Sequence, residues 1–237
     1  KNTNFGIILL GNKGLNLLRL KSYGWPIPPG FIITTEVFRC WKLIDSYRPA
    51  RQNFRQQVAA QLGKLERSTG KSFGSTQNPL LLSVRSGSSI SQPGMMDTLL
   101  NVGITEKIAC GIAEHTGNHW FAWDSYRRFL QCHGMAYGLE RDDFDAIISD
   151  FKKKLGISLK KRFTGAQMKK IAMAYKQRVL DAGIRILEDP FEMLILCIQN
   201  VFDSWESTKA RTYRKIMGIS DDWGTAVTVQ QMVFGNI

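Results

Sequence analysis

The chain has 237 residues, of which 43% are hydrophobic and 11% aromatic, and its formal net charge is +12. A chain of this size and composition can bury a hydrophobic core, so we expect one large folded domain or two small ones. Its apolar runs are shorter than the roughly 20 residues that a membrane-spanning helix needs, and its first residues do not resemble a secretory signal. The basic charge favours an anionic partner, which could be a nucleotide, a nucleic acid or a membrane surface.

The cysteines predict a reducing compartment. They are widely spaced and include no Cys-x-x-Cys pair, in a chain large enough to fold without disulfides. We therefore expect a cytoplasmic protein with four unpaired thiols, at Cys40, Cys110, Cys132 and Cys197.

The first hundred residues mix short strand-like and helix-like patterns. A glycine-rich turn at 11–14 leads into leucines at helical spacing, and this helix is predicted to end near Gly24. The β-branched run 31–35 predicts a strand, and a helix is expected from Glu36.

A polar stretch and an apolar stretch come next. Residues 66–78 are rich in Ser, Thr, Gly and Asn and predict a loop. The apolar residues from Leu80 to Val84 predict a buried strand that carries Arg85 at its end.

From Thr105 to about Leu187 the pattern becomes helical. Thr164 to Gln167 has the form of a capping box at the start of one of these helices. Aromatic and apolar residues at three- and four-residue steps predict a buried helix face, namely Trp120, Trp123, Tyr126, Phe129 and Leu130.

The last fifty residues predict two helices and a strand. Asp189 and Pro190 are typical of a helix start, with Glu192 in the first turn. A basic helix is expected at 209–217, and valines that alternate with more polar residues predict a strand over 225–234.

Two segments could bind phosphate, because glycines let backbone N–H groups approach an anion. The first is Gly11-Asn12-Lys13-Gly14, where Lys13 would lie near the positive end of the helix dipole. The alternative for this segment is a plain loop with a solvated lysine.

The second segment is 83–98, which places Arg85 at a strand end and follows it with hydroxyls, glycines and an exposed pair, Met95 and Met96. A flexible Ser/Gly connector is the alternative. It accounts for residues 86–91 but not for an arginine at the end of an apolar strand.

Other motifs are set aside. Gly70-Lys71-Ser72 lacks the glycine that a Walker loop places five residues earlier, since that residue is Leu65. His115 and His119 are separated by a glycine and an asparagine that weaken a helix, so no metal site is expected there. The basic stretch 152–162 is predicted to be a solvated face.

Six segments, in order, resemble the ATP-binding domain of the pyruvate, phosphate dikinases, a family that also includes phosphoenolpyruvate synthase and the glucan, water dikinases. The resemblance spans nearly the whole chain. The segments are 11–17, 28–31, 83–87, 93–101, 124–129 and the pair 221–227 and 230–236.

The resemblance implies an α+β fold, in which ATP lies between two α/β lobes of an ATP-grasp domain. Residues 1–104 and 189–237 would form the first lobe, a mixed sheet with helices, and residues 105–188 an all-α insertion. The implied reaction converts ATP, phosphate and pyruvate into AMP, diphosphate and phosphoenolpyruvate through a phosphohistidine on a separate domain.

The same resemblance implies which residues bind the nucleotide. Lys13 and Arg85 would hold the ATP phosphates, the loop around Gly94 would cover them with backbone N–H groups, and the last strand would bind the adenine edge. Ser89 stands where the family commonly has a second arginine, so a weaker grip on phosphate is expected. The implied set is Lys13, Arg85, Gly94, Met95, Met96, Asp97, Thr98, Gln231, Met232 and Val233.

The resemblance also implies what this chain lacks. Magnesium ligands and the catalytic residues are expected in parts of the protein beyond residue 237, so we expect the chain alone to be inactive. The implied partners are ATP and the phosphohistidine domain, within a homodimer. The alternatives are a related synthase or water dikinase, or a basic nucleic-acid-binding module suggested by the charge and by residues 120–128.

Overall fold

The computed structural model describes residues 3–235 of the chain, with side chains from Gly6 onward. Within this range the predicted α+β class is confirmed, since ten α-helices accompany a four-stranded sheet of order β1-β4-β2-β3. The elements are α1 (Thr3–Ser22), β1 (Gly30–Ile33), α2 (Thr35–Arg39), α3 (Trp41–Ser46), α4 (Arg48–Thr69), β2 (Leu82–Gly87), β3 (Thr98–Val102), α5 (Glu106–Thr116), α6 (His119–Ala136), α7 (Arg141–Leu155), α8 (Gly165–Asp181), α9 (Pro190–Trp205), α10 (Thr208–Met217) and β4 (Ala226–Gln231).

The chain divides into two compact units. The described part of the first unit is residues 3–70, Leu82–Thr98 and 195–235, and the second unit is Lys71–Leu81 with Leu99–Leu194. The division into a first lobe and an insertion at the boundaries given above stays a prediction. No helix in residues 3–235 is long and apolar enough to cross a membrane.

In the first unit, β4 lies between β1 and β2 and runs antiparallel to both. Gly30 pairs with Gln230 on one side, and Arg85 pairs with Thr228 on the other. Because side chains alternate along a strand, one face of this sheet carries Val84 and its neighbours, while the other carries Ser83, Arg85, Thr228 and Gln230. The sheet therefore has one apolar and one polar face, and the polar face holds the candidate site.

The predicted strand over 225–234 is too long at its end. The N–H of Gln231 donates to the carbonyl of Pro29 at 2.9 Å, and Gln231 is also the last partner of β2. Beyond it neither neighbouring strand continues, so Met232 and Val233 lie outside the sheet. The prediction that these two residues belong to a strand is wrong.

Helix α1 bends at Gly11, where φ is 69° and ψ is 168°. Residues with a Cβ atom almost never adopt this backbone conformation, whereas glycine can. The second half of α1 thus begins directly after Gly11, as the glycine-rich turn predicts, whereas the helical turns before Gly11 were not predicted from the sequence.

The predicted loop 66–78 starts too early. Helix α4 continues to Thr69 because Ser68 and Thr69 donate their hydroxyls back to the carbonyl of Leu65, each at 2.9 Å. The helix ends only at Gly70, which adopts the left-handed conformation with φ 65°. The polar composition of residues 66–69 therefore predicted a loop where the structure has a helix.

Arg214 fixes the approach to β4. Its guanidinium is fully buried, lies 4.1 Å from the centroid of the Trp205 ring, and donates to the Trp205 carbonyl at 2.7 Å. It also donates to Asp221 at 2.6 Å, in the short turn Asp221–Trp223 that precedes the strand. These contacts hold the end of α9 and the start of the β4 segment together.

In the second unit, the predicted aromatic face of α6 is buried at Trp123, Tyr126, Phe129 and Leu130, each at most 3% exposed. The prediction is wrong for Trp120, which is only partly buried at the start of the helix. The predicted basic solvated face is wrong for Lys160, because this lysine donates to the carboxylate of Asp124 at 3.1 Å. The side chain of Asp124 is only 5% exposed, and it needs cationic partners to be buried.

The predicted capping box at the start of α8 is confirmed. The N–H of Gln167 donates to the Thr164 hydroxyl at 3.2 Å, and the N–H of Thr164 donates to the Gln167 amide oxygen at 2.8 Å. We expect Thr164→Ala to lower the free energy of unfolding by about 1 kcal/mol, because it leaves a helix N–H without an acceptor. Urea unfolding measures this change.

Ser149→Ala serves as the control, since Ser149 is an exposed residue within α7 and alanine favours a helix interior. Equal urea midpoints for the two variants would mean that the capping contact does not contribute to stability.

Candidate functional site

The structure brings Lys13 and Arg85 together, the two cations singled out in the sequence. They line one cavity of about 270 Å³, together with Asn16, Leu17, Leu20 and Thr228. Lys13 reaches it from the first turn of α1 after the bend, and Arg85 reaches it from β2 on the polar face of the sheet. The amine of Lys13 also donates to the carbonyl of Ser86 at 3.4 Å.

Neither cation has an acidic partner among residues 3–235. Burial, and then the positive charge of Arg85, lower the pKa of Lys13 below its usual value. Burial disfavours any charge in the cavity, but the two adjacent cations repel each other, and an anion placed between them would relieve this repulsion.

Thr228 adds a polar group to the same cavity. Its side chain is 4% exposed, and its hydroxyl has no hydrogen-bond partner among the described residues. A buried hydroxyl without a partner is uncommon in folded proteins, and such groups are usually completed by a water or a ligand.

Arg85 is held by a neutral side chain. Its Nη2 donates to the Oε1 of Gln230, and the Nε2 of Gln230 donates to the carbonyl of Pro28 at 2.9 Å. Sequence reasoning missed Gln230, because it lies 145 residues from Arg85 and only the register of β2 against β4 makes the two diagonal neighbours. An alternating polar residue in a predicted strand was the only signal available.

The two glycine-containing segments predicted to bind phosphate contact each other. The N–H of Asn12 donates to the carbonyl of Ser88 at 2.9 Å. A Cβ atom on Gly11 would clash with the carbonyl group of Gly87. The two segments can approach each other this closely because the residue at the point of contact is glycine, which has no Cβ atom.

The loop 94–98 is not brought to the two cations. None of its residues lines the cavity of Lys13 and Arg85, as far as the described residues show. The N–H of Met95 donates to the carbonyl of Gln92 at 3.2 Å, and the N–H of Asp97 donates to the hydroxyl of Ser204 at 3.4 Å. Two of the N–H groups expected to cover phosphate are thus engaged inside the protein.

The predicted exposure of Met95 and Met96 is wrong, since both are partly buried. The hydroxyl of Ser204 lies 3.9 Å from the Met96 sulfur, which places this side chain against α9. The neighbouring Asp97 is half-buried, and burial raises the pKa of its carboxyl while Lys209 opposes the rise. Gly94 has φ 69°, and Thr98 is exposed at the start of β3.

The three residues expected at the adenine edge also lie away from this cavity. The backbone N–H of Gln231 is used by the sheet, and Val233 is 68% exposed. A second cavity of about 290 Å³ shares Leu17 and Thr228 with the first and has a mainly apolar wall that includes Ile27 and Phe31. An apolar pocket thus adjoins the cationic one.

No set of three or more His, Cys, Asp or Glu side chains is placed to hold a metal ion within residues 3–235.

The described residues thus place an apolar pocket beside two cations that have no acidic partner, a combination compatible with a phosphorylated ligand. Residues 49–237 match the protein-family model described as "Pyruvate phosphate dikinase, AMP/ATP-binding domain". The match covers most of the chain, so the chain belongs to this family, and the resemblance seen in the sequence is confirmed.

Relatives named pyruvate, phosphate dikinase support this assignment. The protein from Clostridium symbiosum is 40% identical over 231 residues, which cover 96% of this chain. Those from Rickettsia typhi and Giardia intestinalis are 41% and 39% identical over 97% and 96% of the chain. The chain spans only about a quarter of the length of these relatives, 26% in each case.

Proposed function

We propose that this chain is the ATP-binding part of a pyruvate, phosphate dikinase, which converts ATP, phosphate and pyruvate into AMP, diphosphate and phosphoenolpyruvate through a phosphohistidine. The observation that carries the proposal is the pair Lys13 and Arg85, which share one cavity without any acidic partner in the described chain. The family match supplies the identity of the anion as a nucleotide phosphate.

The geometry suits phosphate binding. Transfer of a phosphoryl group depends mainly on positioning and on neutralising negative charge, and fixed cations provide both. Arg85 is held in place by Gln230, so little reorganisation is needed when an anion arrives. The adjoining apolar cavity offers room for further parts of the ligand.

A calorimetric titration of the chain with ATP in low salt tests the proposal. We expect Lys13→Met and Arg85→Met each to weaken ATP binding at least about tenfold, because each removes a charged hydrogen-bond donor. Lys64→Met is the matched control, since it removes the same charge from an exposed position on α4. Wild-type affinity in both cavity variants would refute the site.

The alternatives are less well supported. The curated relatives named above are pyruvate, phosphate dikinases rather than synthases or water dikinases. The aromatic residues at 120–128 that suggested a nucleic-acid-binding module give it little support, since Trp123 and Tyr126 are buried in α6 and only Trp120 and Phe121 are partly exposed.

Finer features of the proposal remain predictions. They are the ATP-grasp fold, the roles of residues 94–98 and 231–233 in binding ATP, a magnesium ion held elsewhere, the phosphohistidine domain as partner, the homodimer and the cytoplasmic location. We assign no catalytic residue in this chain.

A further inference from the structure

The amide group of Gln230 has one possible orientation. Arg85 can only donate hydrogen bonds and the carbonyl of Pro28 can only accept them, so Oε1 must face Arg85 and Nε2 must face Pro28. The side chain of Gln230 is buried, and it lies over Gly30, where a Cβ atom would come within 2.9 Å of the Gln230 Cα atom. The Pro28–Gly30 turn therefore holds the amide oxygen against Arg85.

A glutamine in this position orients Arg85 without cancelling its charge. A buried arginine is usually compensated by a carboxylate, as Arg127 is by Asp124 at 2.8 Å. Arg85 is only partly buried, and its side-chain acceptor Gln230 is neutral, so the positive charge of Arg85 is not cancelled beside Lys13. A carboxylate at the same place would occupy the guanidinium in the manner of a phosphate.

We propose that Gln230 is a positioning residue that sets the affinity for phosphate, because it fixes the Arg85 guanidinium while leaving its charge uncompensated. This inference rests on the proposed function, in which Arg85 binds the phosphates of a nucleotide. Gln230 acts on the phosphates through Arg85, although its side chain also lines the second cavity.

Two variants separate orientation from charge. Gln230→Glu keeps the shape and an acceptor oxygen but adds a carboxylate that pairs with Arg85, and we expect it to weaken binding of ATP and of inorganic triphosphate at least about tenfold. Gln230→Met keeps the size but removes both hydrogen bonds, and we expect a smaller loss of about threefold to tenfold. Gln57→Glu, which adds the same charge at an exposed position on α4, is the control.

Calorimetry with ATP, inorganic triphosphate and adenosine measures these effects, and thermal unfolding reports on the fold. A purely structural role would change the melting temperature and weaken all three ligands alike. The positioning role predicts that Gln230→Glu weakens the two phosphate ligands much more than adenosine, even though loss of the hydrogen bond to Pro28 also lowers the melting temperature. If Gln230→Glu does not fold, the same ligand comparison on Gln230→Met decides.

Failure of the inference can be told from failure of the proposed function. If Lys13→Met and Arg85→Met lose ATP binding but both Gln230 variants bind like wild type, Gln230 has no positioning role. If none of these four variants changes ATP binding, the proposed phosphate site itself is wrong, and with it this inference.

Discussion

Replacing Gly11 by alanine is expected to destabilise the first unit by about 3–5 kcal/mol. Two costs combine. The backbone at Gly11 has φ 69° and ψ 168°, a conformation that is strained for any residue with a Cβ atom. The added methyl group would also clash with the carbonyl of Gly87, so the contact between Asn12 and Ser88 would have to open.

Gly24→Ala separates these two costs. Gly24 also has a positive φ, 79°, but a Cβ atom there meets no other atom within 4 Å. We expect this control to lose about 1 kcal/mol from the backbone alone. Urea unfolding followed by tryptophan fluorescence measures both variants, and equal midpoints would mean that the approach to Gly87 is not important for stability.

The second large effect is expected for Asp124→Asn, which should destabilise the second unit by about 3–5 kcal/mol. The Asp124 carboxylate contacts three cations, with Arg127 at 2.8 Å, Arg128 at 3.0 Å and Lys160 at 3.1 Å. The side chain of Arg127 is only 6% exposed, so removing the carboxylate leaves a buried guanidinium without its counter-charge. The amide of Gln131 and the ring of Tyr175 would compensate only in part.

The same carboxylate predicts a pH dependence. Burial alone would raise the pKa of Asp124, but the charges and hydrogen bonds of Arg127 and Lys160 outweigh burial and hold the pKa below its usual value. Since an unfolded aspartate has a pKa of about 3.9, the stabilisation is complete above about pH 4. It is lost as the pH falls through the lower pKa of the folded state.

Hydrogen exchange of the α6 backbone amides, measured between pH 7 and pH 3, tests both statements. In Asp124→Asn the protection should be lower at neutral pH and should fall less steeply in acid than in the wild type. Asp150→Asn is the matched control, because Asp150 also pairs with a lysine, at 2.7 Å, but on an exposed face. A loss as large for Asp150→Asn would contradict the role assigned to burial.

The cation pair of the candidate site could be predicted from the sequence because each cation has a strong local context. A glycine turn before a helix marks Lys13, and an apolar run followed by a charge marks Arg85. The prediction that Arg85 ends its strand is wrong, because β2 continues to Gly87 in its pairing with β4. That the two meet depends on the sheet order, which places β2 beside β4 and beneath the second half of α1. No local pattern specifies such an order, and the family resemblance predicted only that both cations hold the ATP phosphates.

Other residues depend on pairing that the sequence does not encode locally. The contact of Gln230 with Arg85 follows from the register of two strands far apart in the chain. The end of β4 at Gln231 depends on where its neighbours stop, so alternation alone extended the strand to Val233 in error. The polar composition of residues 66–69 likewise led to the wrong prediction of a loop. Hydroxyl groups can donate back to the helix backbone, as the hydroxyl of Ser68 does.

The central position of β4 has a consequence for synthesis of the protein. Pro28, next to the first strand, and Gln230, in the last, are 202 residues apart in sequence. At a translation rate of about 5–20 residues per second, roughly 10–40 s pass between the emergence of these residues from the ribosome. During this interval β1 and β2 of the nascent chain lack the strand that joins them, and their unpaired edges are open to other chains or to chaperones. The helices between Glu106 and Asp181 contact one another over much shorter separations in sequence. They can therefore fold before β4 has been synthesised.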